Sequence, residues 1–190
     1  KHYWSKVWML AGTLDEIPEA GNYMLWEMAR QPLVIVHGKD GVVRSFYNTC
    51  RHRGAPVVTE KFGTAEHGLV CGYHGWTYNH QGELVGMRDK RDFVDFDMEC
   101  RSLYPVKTEM FGKLIFVNFN EDAPSLRDYM GPIYDELQEF QFQNLRLVDH
   151  YVWDLHCNWK IAMEANMEVY HVKSIHPQTV DPSLDYRGNV

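Results

Sequence analysis

Two short stretches set a cysteine close to a histidine: Cys50-Arg51-His52 and Cys71-Gly72-Tyr73-His74. Turn-forming residues accompany both, with Gly54-Ala55-Pro56 after the first and Gly72 and Gly75 within or beside the second. Each stretch thus offers one thiolate and one imidazole from a Gly-rich, turn-like loop. Thiolates suit zinc and iron–sulfur clusters, whereas imidazoles suit zinc, iron and copper. A single zinc ion would take all four ligands in a tetrahedron. Iron would divide them, the two cysteines on one iron of a 2Fe-2S cluster and the two histidines on the other. Neutral imidazoles in place of thiolates make such a cluster less negative and raise its potential, into the range that ferredoxins and flavins can supply. Buried thiols beside solvent-facing histidines are the plainer alternative.

Composition narrows the classes around this motif. With 190 residues and 45% hydrophobic content, the chain can bury one good core or two small ones. Aromatic residues at 14% and charged residues at 24% exclude a disordered or fibrous protein. No unbroken apolar run approaches the length of a membrane span. The 19 Lys and Arg against 26 Asp and Glu leave a net charge of −7, which disfavours phosphate-backbone binding. Neither a nucleic acid nor a membrane is therefore expected as a partner. Four cysteines are too few for a secreted disulfide scaffold. The sequence opens at Lys1 and closes at Asn189-Val190 without a finishing element, and is read as part of something longer. A targeting peptide removed earlier would leave no trace here, so compartment is only weakly constrained.

From Val7 to Asn118 the chain reads as short strands and turns. Pro32 to Val36 is an apolar run fit for a buried strand, and Lys39-Asp40-Gly41 is a hairpin turn leading to a partner strand over Val42 to Asn48. Asn79-His80-Gln81-Gly82 and Glu109-Met110-Phe111-Gly112 are further turns, and Leu114 to Val117 closes the series. The spacing predicts an antiparallel β domain over residues 1–119. Beyond it, Ser125 is a helix N-cap, Tyr134 to Phe142 and Asn158 to Tyr170 have helical periodicity, and Val148 to Leu155 alternates like a strand. A second region, 120–190, follows.

That second region carries Glu168, His171 and His176. On a regular helix the two histidines would point about 140° apart, so the helix must end or bend between them. Glu168 precedes His171 by one turn and projects to the same side. Two histidines and a carboxylate with open positions are the facial set of mononuclear iron(II) oxygenases. Taken alone, a histidine pair at a helix end is more often structural.

The run Cys50 to Pro56, then Cys71-Gly72-Tyr73-His74-Gly75-Trp76-Thr77-Tyr78, then Gly82-Glu83-Leu84, resembles the Rieske domain of ring-hydroxylating oxygenases, the large (α) subunit of the Rieske non-haem iron oxygenase family. Rieske proteins of respiratory complexes carry a disulfide whose two positions here are Ala55 and Tyr73. The second segment resembles the same family at Asn158, Trp159, Lys160, Glu164, Tyr170, His171 and His176. It departs at Ala165, where the family has Asn, and at Glu168, where it has Asp.

The resemblance implies an α+β fold, an antiparallel β Rieske 2Fe-2S domain followed by the first part of an α/β catalytic domain whose helix carries iron ligands. It implies a 2Fe-2S cluster on Cys50, His52, Cys71 and His74, and mononuclear Fe(II) on His171 and His176. The family's third ligand, an aspartate, comes from farther downstream, and neither Asp181 nor Asp185 is assigned that place. Glu168 would bridge His171 to His74 of a neighbouring subunit in a head-to-tail homotrimer, with or without a small β subunit. Electrons from NAD(P)H would arrive through a reductase or ferredoxin, and O2 would be inserted into a small, aromatic substrate by a cytoplasmic enzyme. Glu-bearing relatives hint at the alternative of a monooxygenase or demethylase of a quaternary ammonium compound such as carnitine. A Rieske electron carrier without oxygenase activity and a zinc-stabilised module are the contrasting readings.

Among the remaining residues, Trp76 is expected to shield the cluster, and Cys100 and Cys157 to be ordinary thiols. His37, His67, His80 and His150 are expected to be exposed. Strand alternation sets His156 and Cys157 on opposite faces. Arg51 and Arg53 are expected either to dock an acidic donor or a neighbouring subunit, or to be plain surface charge.

Overall fold

The computed structural model describes residues 3–176 and 178, and the chain divides into two compact units after Val148. The first unit is built on antiparallel strands β1 (Met9–Thr13), β2 (Asn22–Met28), β3 (Gln31–His37), β4 (Val43–Tyr47), β5 (Phe62–Thr64), β6 (Leu69–Val70), β7 (Thr77–Tyr78), β8 (Leu84–Gly86), β9 (Pro105–Phe111) and β10 (Leu114–Asn118). Seven form one sheet in the order β1-β10-β9-β4-β3-β2-β5, and β6-β7-β8 form a second, small one.

Strand β3 explains how the cores are arranged. Leu33, Val34, Ile35 and Val36 are all fully buried, so the strand is covered on both faces, as its unbroken apolar run requires. Successive side chains point to opposite faces. Val34 and Val36 join a core containing Cys50, Cys71, Trp76 and Tyr78. Leu33 and Ile35 join another with Met9, Ile17, Met24, Ile115 and Val117. Each such aliphatic side chain contributes about 1.5–3 kcal/mol by leaving water.

The turns follow from their residues. At the β3–β4 hairpin, Gly41 has φ +77° and donates to Gly38 O at 2.9 Å. Between β7 and β8, the Asn79 side chain accepts from the N–H groups of Gln81 and Glu83 at 3.0 and 2.9 Å. Gly82 there has φ +83°, and a Cβ on it would stand 2.4 Å from the Phe46 ring.

After Asn118 come α1 (Leu126–Met130) and α2 (Pro132–Gln138). Ser125 caps α1, its hydroxyl accepting from Asp128 N–H at 3.1 Å. Leu126 packs with Trp8 and Phe111, joined by Tyr134, Leu137 and Phe142, so residues 120–148 pack against the sheet. The helix expected over Tyr134 to Phe142 begins earlier, at Pro132, and stops at Gln138, since Gln141 turns to φ +50°.

In the second unit α3 spans Trp159–Ala165 and α4 spans Val172–Ile175. Two expectations need correction. Val148 to Leu155 forms no strand, because none of the described strands pairs with it and alternation without a hydrogen-bonded neighbour makes no ladder. The helix over Asn158 to Tyr170 ends at Ala165. There the Asn166 side chain donates to Ala162 O at 2.9 Å, satisfying a terminal carbonyl and releasing the chain. Among the described residues no helix is long and apolar enough to cross a membrane.

Candidate metal centres

The loops at Cys50 and Cys71 share one backbone pattern. Gly54 N–H donates to Cys50 O at 2.9 Å, and Cys50 N–H donates to Ala55 O at 2.8 Å. Likewise Gly75 N–H donates to Cys71 O, and Cys71 N–H to Trp76 O, both at 2.9 Å. Gly54 and Gly75 have φ +79° and +71°, the left-handed region that glycine enters without steric cost. Asn48 fastens the base of the first loop. Its side-chain oxygen accepts from Val57 and Val58 N–H at 2.9 and 3.1 Å, and its amide donates to Val58 O at 2.8 Å.

The two loops present their side chains as pairs. Cys50 and Cys71 are 3% and 1% exposed and unbridged. Burial pushes the Cys71 thiol up, with Cys50 beside it adding, while the N–H groups of Tyr73 and His74 pull the other way. His52 and His74 are half-buried, with ring centroids 4.6 Å apart. Burial first, then His74 and Arg53, hold His52 below the ordinary imidazole range, which favours the neutral form a metal needs.

Surrounding aromatics fix this arrangement. Trp76 is buried, stacks on His52 at 4.8 Å and meets the edge of Phe96, as expected of a shield. Tyr73 lies against His74 at 3.8 Å. Fully buried Tyr78 accepts from Arg51 N–H at 3.0 Å, and its hydroxyl is 3.4 Å from Cys50 Sγ. Burial, with the Cys50 contact adding, pushes the Tyr78 phenol far up, so it stays protonated and is able to donate to a thiolate at Cys50.

This donor set fits a 2Fe-2S cluster. Two buried thiols, two amides near one sulfur and two adjoining imidazoles form two pairs. Among the described residues, no three His, Cys, Asp or Glu side chains converge as a cage for one ion. A cluster needs only two protein ligands per iron.

In the second unit Asn158 caps α3, accepting from Lys160 N–H at 3.0 Å. Glu168 stands outside any helix, yet its carboxylate reaches His171 twice, accepting the backbone N–H at 3.2 Å and pairing with ring Nδ1. That ring contact holds the Glu168 carboxyl below its usual range. With Nδ1 engaged, Nε2 of His171 is the nitrogen left for a metal. Helix α4 is one turn long and separates His171 from His176, whose rings lie 5.6 Å apart. The expected break between the histidines thus occurs at Ile175. Asp181 and Asp185 lie outside the described residues.

Other expectations resolve individually. His80 is buried rather than exposed: Nδ1 accepts from Lys39 N–H at 3.3 Å and Nε2 donates to Ala65 O at 2.7 Å. His37 is half-buried, its Nδ1 donating to Ile17 O, while His67 and His150 are exposed. Cys100, Cys157 and His156 are exposed, with no strand to set faces for the last two. Asn48 went unnoticed in the sequence, its only signal being a side-chain acceptor before a turn.

Comparison with known proteins supplies the family. Residues 7–111 match the Rieske [2Fe-2S] domain. The chain belongs to that family. Residues 142–189 of this Rieske protein match the catalytic domain of the ring-hydroxylating alpha subunit, and members of the two families carry a 2Fe-2S cluster and a mononuclear iron. The glycine betaine monooxygenase oxygenase subunit of Pseudomonas aeruginosa (strain UCBPP-PA14) is 32% identical over 182 residues, covering 95% of this chain and 42% of that one. The 2-aminobenzenesulfonate 2,3-dioxygenase subunit alpha of Alcaligenes sp is 35% identical over 175 residues, covering 90% and 44%. Among solved structures, the quaternary ammonium Rieske monooxygenase CntA superposes with TM-score 0.86 at 30% identity, covering 93% of this chain and 50% of that one. Naphthalene 1,2-dioxygenase from Rhodococcus sp. gives 0.84 at 27% identity, covering 96% and 43%. The Rieske chain therefore spans less than half the length of these curated relatives. Its α+β fold, with an antiparallel Rieske sheet, is theirs.

Proposed function

We propose that this chain forms part of the terminal oxygenase component of a multicomponent Rieske oxygenase. The observation that carries the reading is the meeting of two buried thiols and two imidazoles on loops of one hydrogen-bond pattern. Cys50 and Cys71 would hold one iron of the cluster and His52 and His74 the other, while His171 and His176 would hold the mononuclear iron. When bound, the cluster supplies one-electron transfer and the mononuclear iron supplies activation of O2.

The chain's own residues do the positioning. Asn48 and Tyr78 fix the first loop, Trp76 excludes water from one face of His52, and Glu168 fixes the His171 ring. Glu168 is also suited to accept from an imidazole of a neighbouring subunit, namely His74 in a head-to-tail trimer. The functional division runs near residue 119, with the Rieske domain over 1–119 and the first part of the mononuclear-iron domain over 120–190. A reductase or ferredoxin would deliver electrons from NAD(P)H, and such an enzyme belongs in the cytoplasm.

The substrate is a small organic molecule. An aromatic compound agrees with the dioxygenase relatives. A quaternary ammonium compound is the second reading, favoured by the glycine betaine and carnitine monooxygenase relatives and by Glu168.

The test is to express the full-length parent, measure metal and acid-labile sulfide, and record EPR after dithionite reduction. About three irons and two sulfides per chain, with a Rieske signal, are expected. Oxygen uptake with aromatic and quaternary ammonium substrates then separates the two classes. Two irons and two sulfides in a fully loaded sample would indicate an electron carrier, and zinc without sulfide would overturn the reading.

A further inference from the structure

Arg51 stands between two candidate cluster ligands, and its side chain is tied down. Its guanidinium carbon lies 3.7 Å from the centroid of the Tyr104 ring, and its Nε is buried without a hydrogen-bond partner. The guanidinium thus lies over the ring with its Nε out of solvent, although Arg51 as a whole is half-buried and Tyr104 is 56% exposed. Both halves of the contact are anchored. Tyr104 O accepts from Tyr47 N–H at 3.0 Å immediately before β9 begins, and Arg51 N–H donates to the Tyr78 hydroxyl at 3.0 Å. Arg53, two residues on, is exposed and has no such platform in the described contacts.

The two arginines of one short loop are thus physically different. A fully solvated charge is screened within a Debye length, whereas a guanidinium partly desolvated against an aromatic face keeps more of its field. Lysine would not substitute, since stacking depends on the planar guanidinium.

We propose that Arg51 is a positioning residue that sets a fixed positive charge beside the cluster loop and raises the cluster's reduction potential, with Tyr104 as its platform. The inference rests on the reading that these loops hold a 2Fe-2S cluster. The step it concerns is uptake of one electron from an external donor such as dithionite, with no bond made or broken. A nearby cation favours the reduced, more negative form.

The test is an EPR-monitored redox titration of the iron- and sulfide-loaded full chain and three variants, at low and high salt. Arg51→Gln should lower the equilibrium constant for reduction about three- to tenfold, a tenfold change being about 59 mV for one electron. Tyr104→Phe should leave the potential unchanged, because its ring still carries the cation. Tyr104→Leu should lower it in the same direction as Arg51→Gln and make it more sensitive to salt. A fully loaded Arg51→Gln protein with the wild-type potential overturns the proposal. Should that variant fail to load, the Tyr104 pair decides: a Leu variant matching the Phe variant leaves Arg51 as a mechanical clamp and overturns it equally. A wild-type chain that takes up no cluster overturns instead the functional reading beneath it.

Discussion

The Tyr78 hydroxyl lies 3.4 Å from the sulfur of Cys50 and accepts the backbone N–H of the next residue, Arg51, at 3.0 Å. One buried phenol therefore holds both the side chain and the backbone of the first loop. Tyr78→Phe keeps the ring but orphans the Arg51 amide. It should cost about 1–3 kcal/mol, read as a lower midpoint in urea unfolding, with the fold unchanged by circular dichroism.

Asn48 makes three hydrogen bonds to the backbone of Val57 and Val58. Asn48→Ala should cost about 2–4 kcal/mol and reduce iron and sulfide content per chain, since the loop loses its base. An unchanged metal content would show that the loop holds its form without this fastening.

Gly82 is barred from bearing a side chain by both its φ of +83° and the Phe46 ring. Gly82→Ala should destabilise the first unit by about 2–4 kcal/mol, while Gly41→Ala, whose Cβ meets open space, should cost only about 1 kcal/mol. Thermal melts of the two variants make the comparison.

Asp15 accepts from Lys113 Nζ at 2.8 Å and from Leu147 N–H at 2.7 Å, and these hold its carboxyl below the ordinary 3.8. A depressed carboxylate stabilises above its unfolded pKa, and that contribution is lost as pH falls through the folded value. The melting-temperature gap between wild type and Asp15→Ala should be full near pH 6 and shrink as the pH falls below the ordinary 3.8.

Glu168 fixes the ring of His171 through Nδ1. Glu168→Ala in the full-length parent should leave the Rieske EPR signal intact and lower turnover roughly 10- to 100-fold, with Glu168→Asp in between. Unchanged turnover with both centres occupied would remove Glu168 from the mechanism.

Much of this was legible in the sequence for definite physical reasons. The β3 strand announced itself by an apolar run, its hairpin by Asp40-Gly41, and α1 by the Ser125 cap, all features decided within a few residues. The cysteine–histidine pairs were legible because metal chemistry restricts residue type so tightly. What stayed hidden depends on neighbours distant along the chain. His80 is buried because Lys39 and Ala65 supply partners for both ring nitrogens. Arg51 reads as a docking residue or a plain surface charge until Tyr104 is placed beside it. Val148 to Leu155 has the alternation of a strand, but a strand exists only with a partner. The helix before His171 ends at Ala165 because Asn166 caps it, a residue that periodicity scores as merely polar.

The two-faced burial of β3 carries a consequence for how the chain finds its pairing. A strand with one polar face resists slipping by one residue, because slippage would drive polar groups inward. Leu33, Val34, Ile35 and Val36 offer no such resistance, since either alternate set is apolar. Fidelity of alignment must then come from the ends: the tight turn at Gly41 on one side, and on the other Asn48, whose N–H donates to Pro32 O at 2.9 Å. A lengthened β3–β4 turn should therefore produce misaligned, cluster-free protein rather than unfolded protein, because the slipped strand would still bury its oil while carrying Cys50 out of step with Cys71.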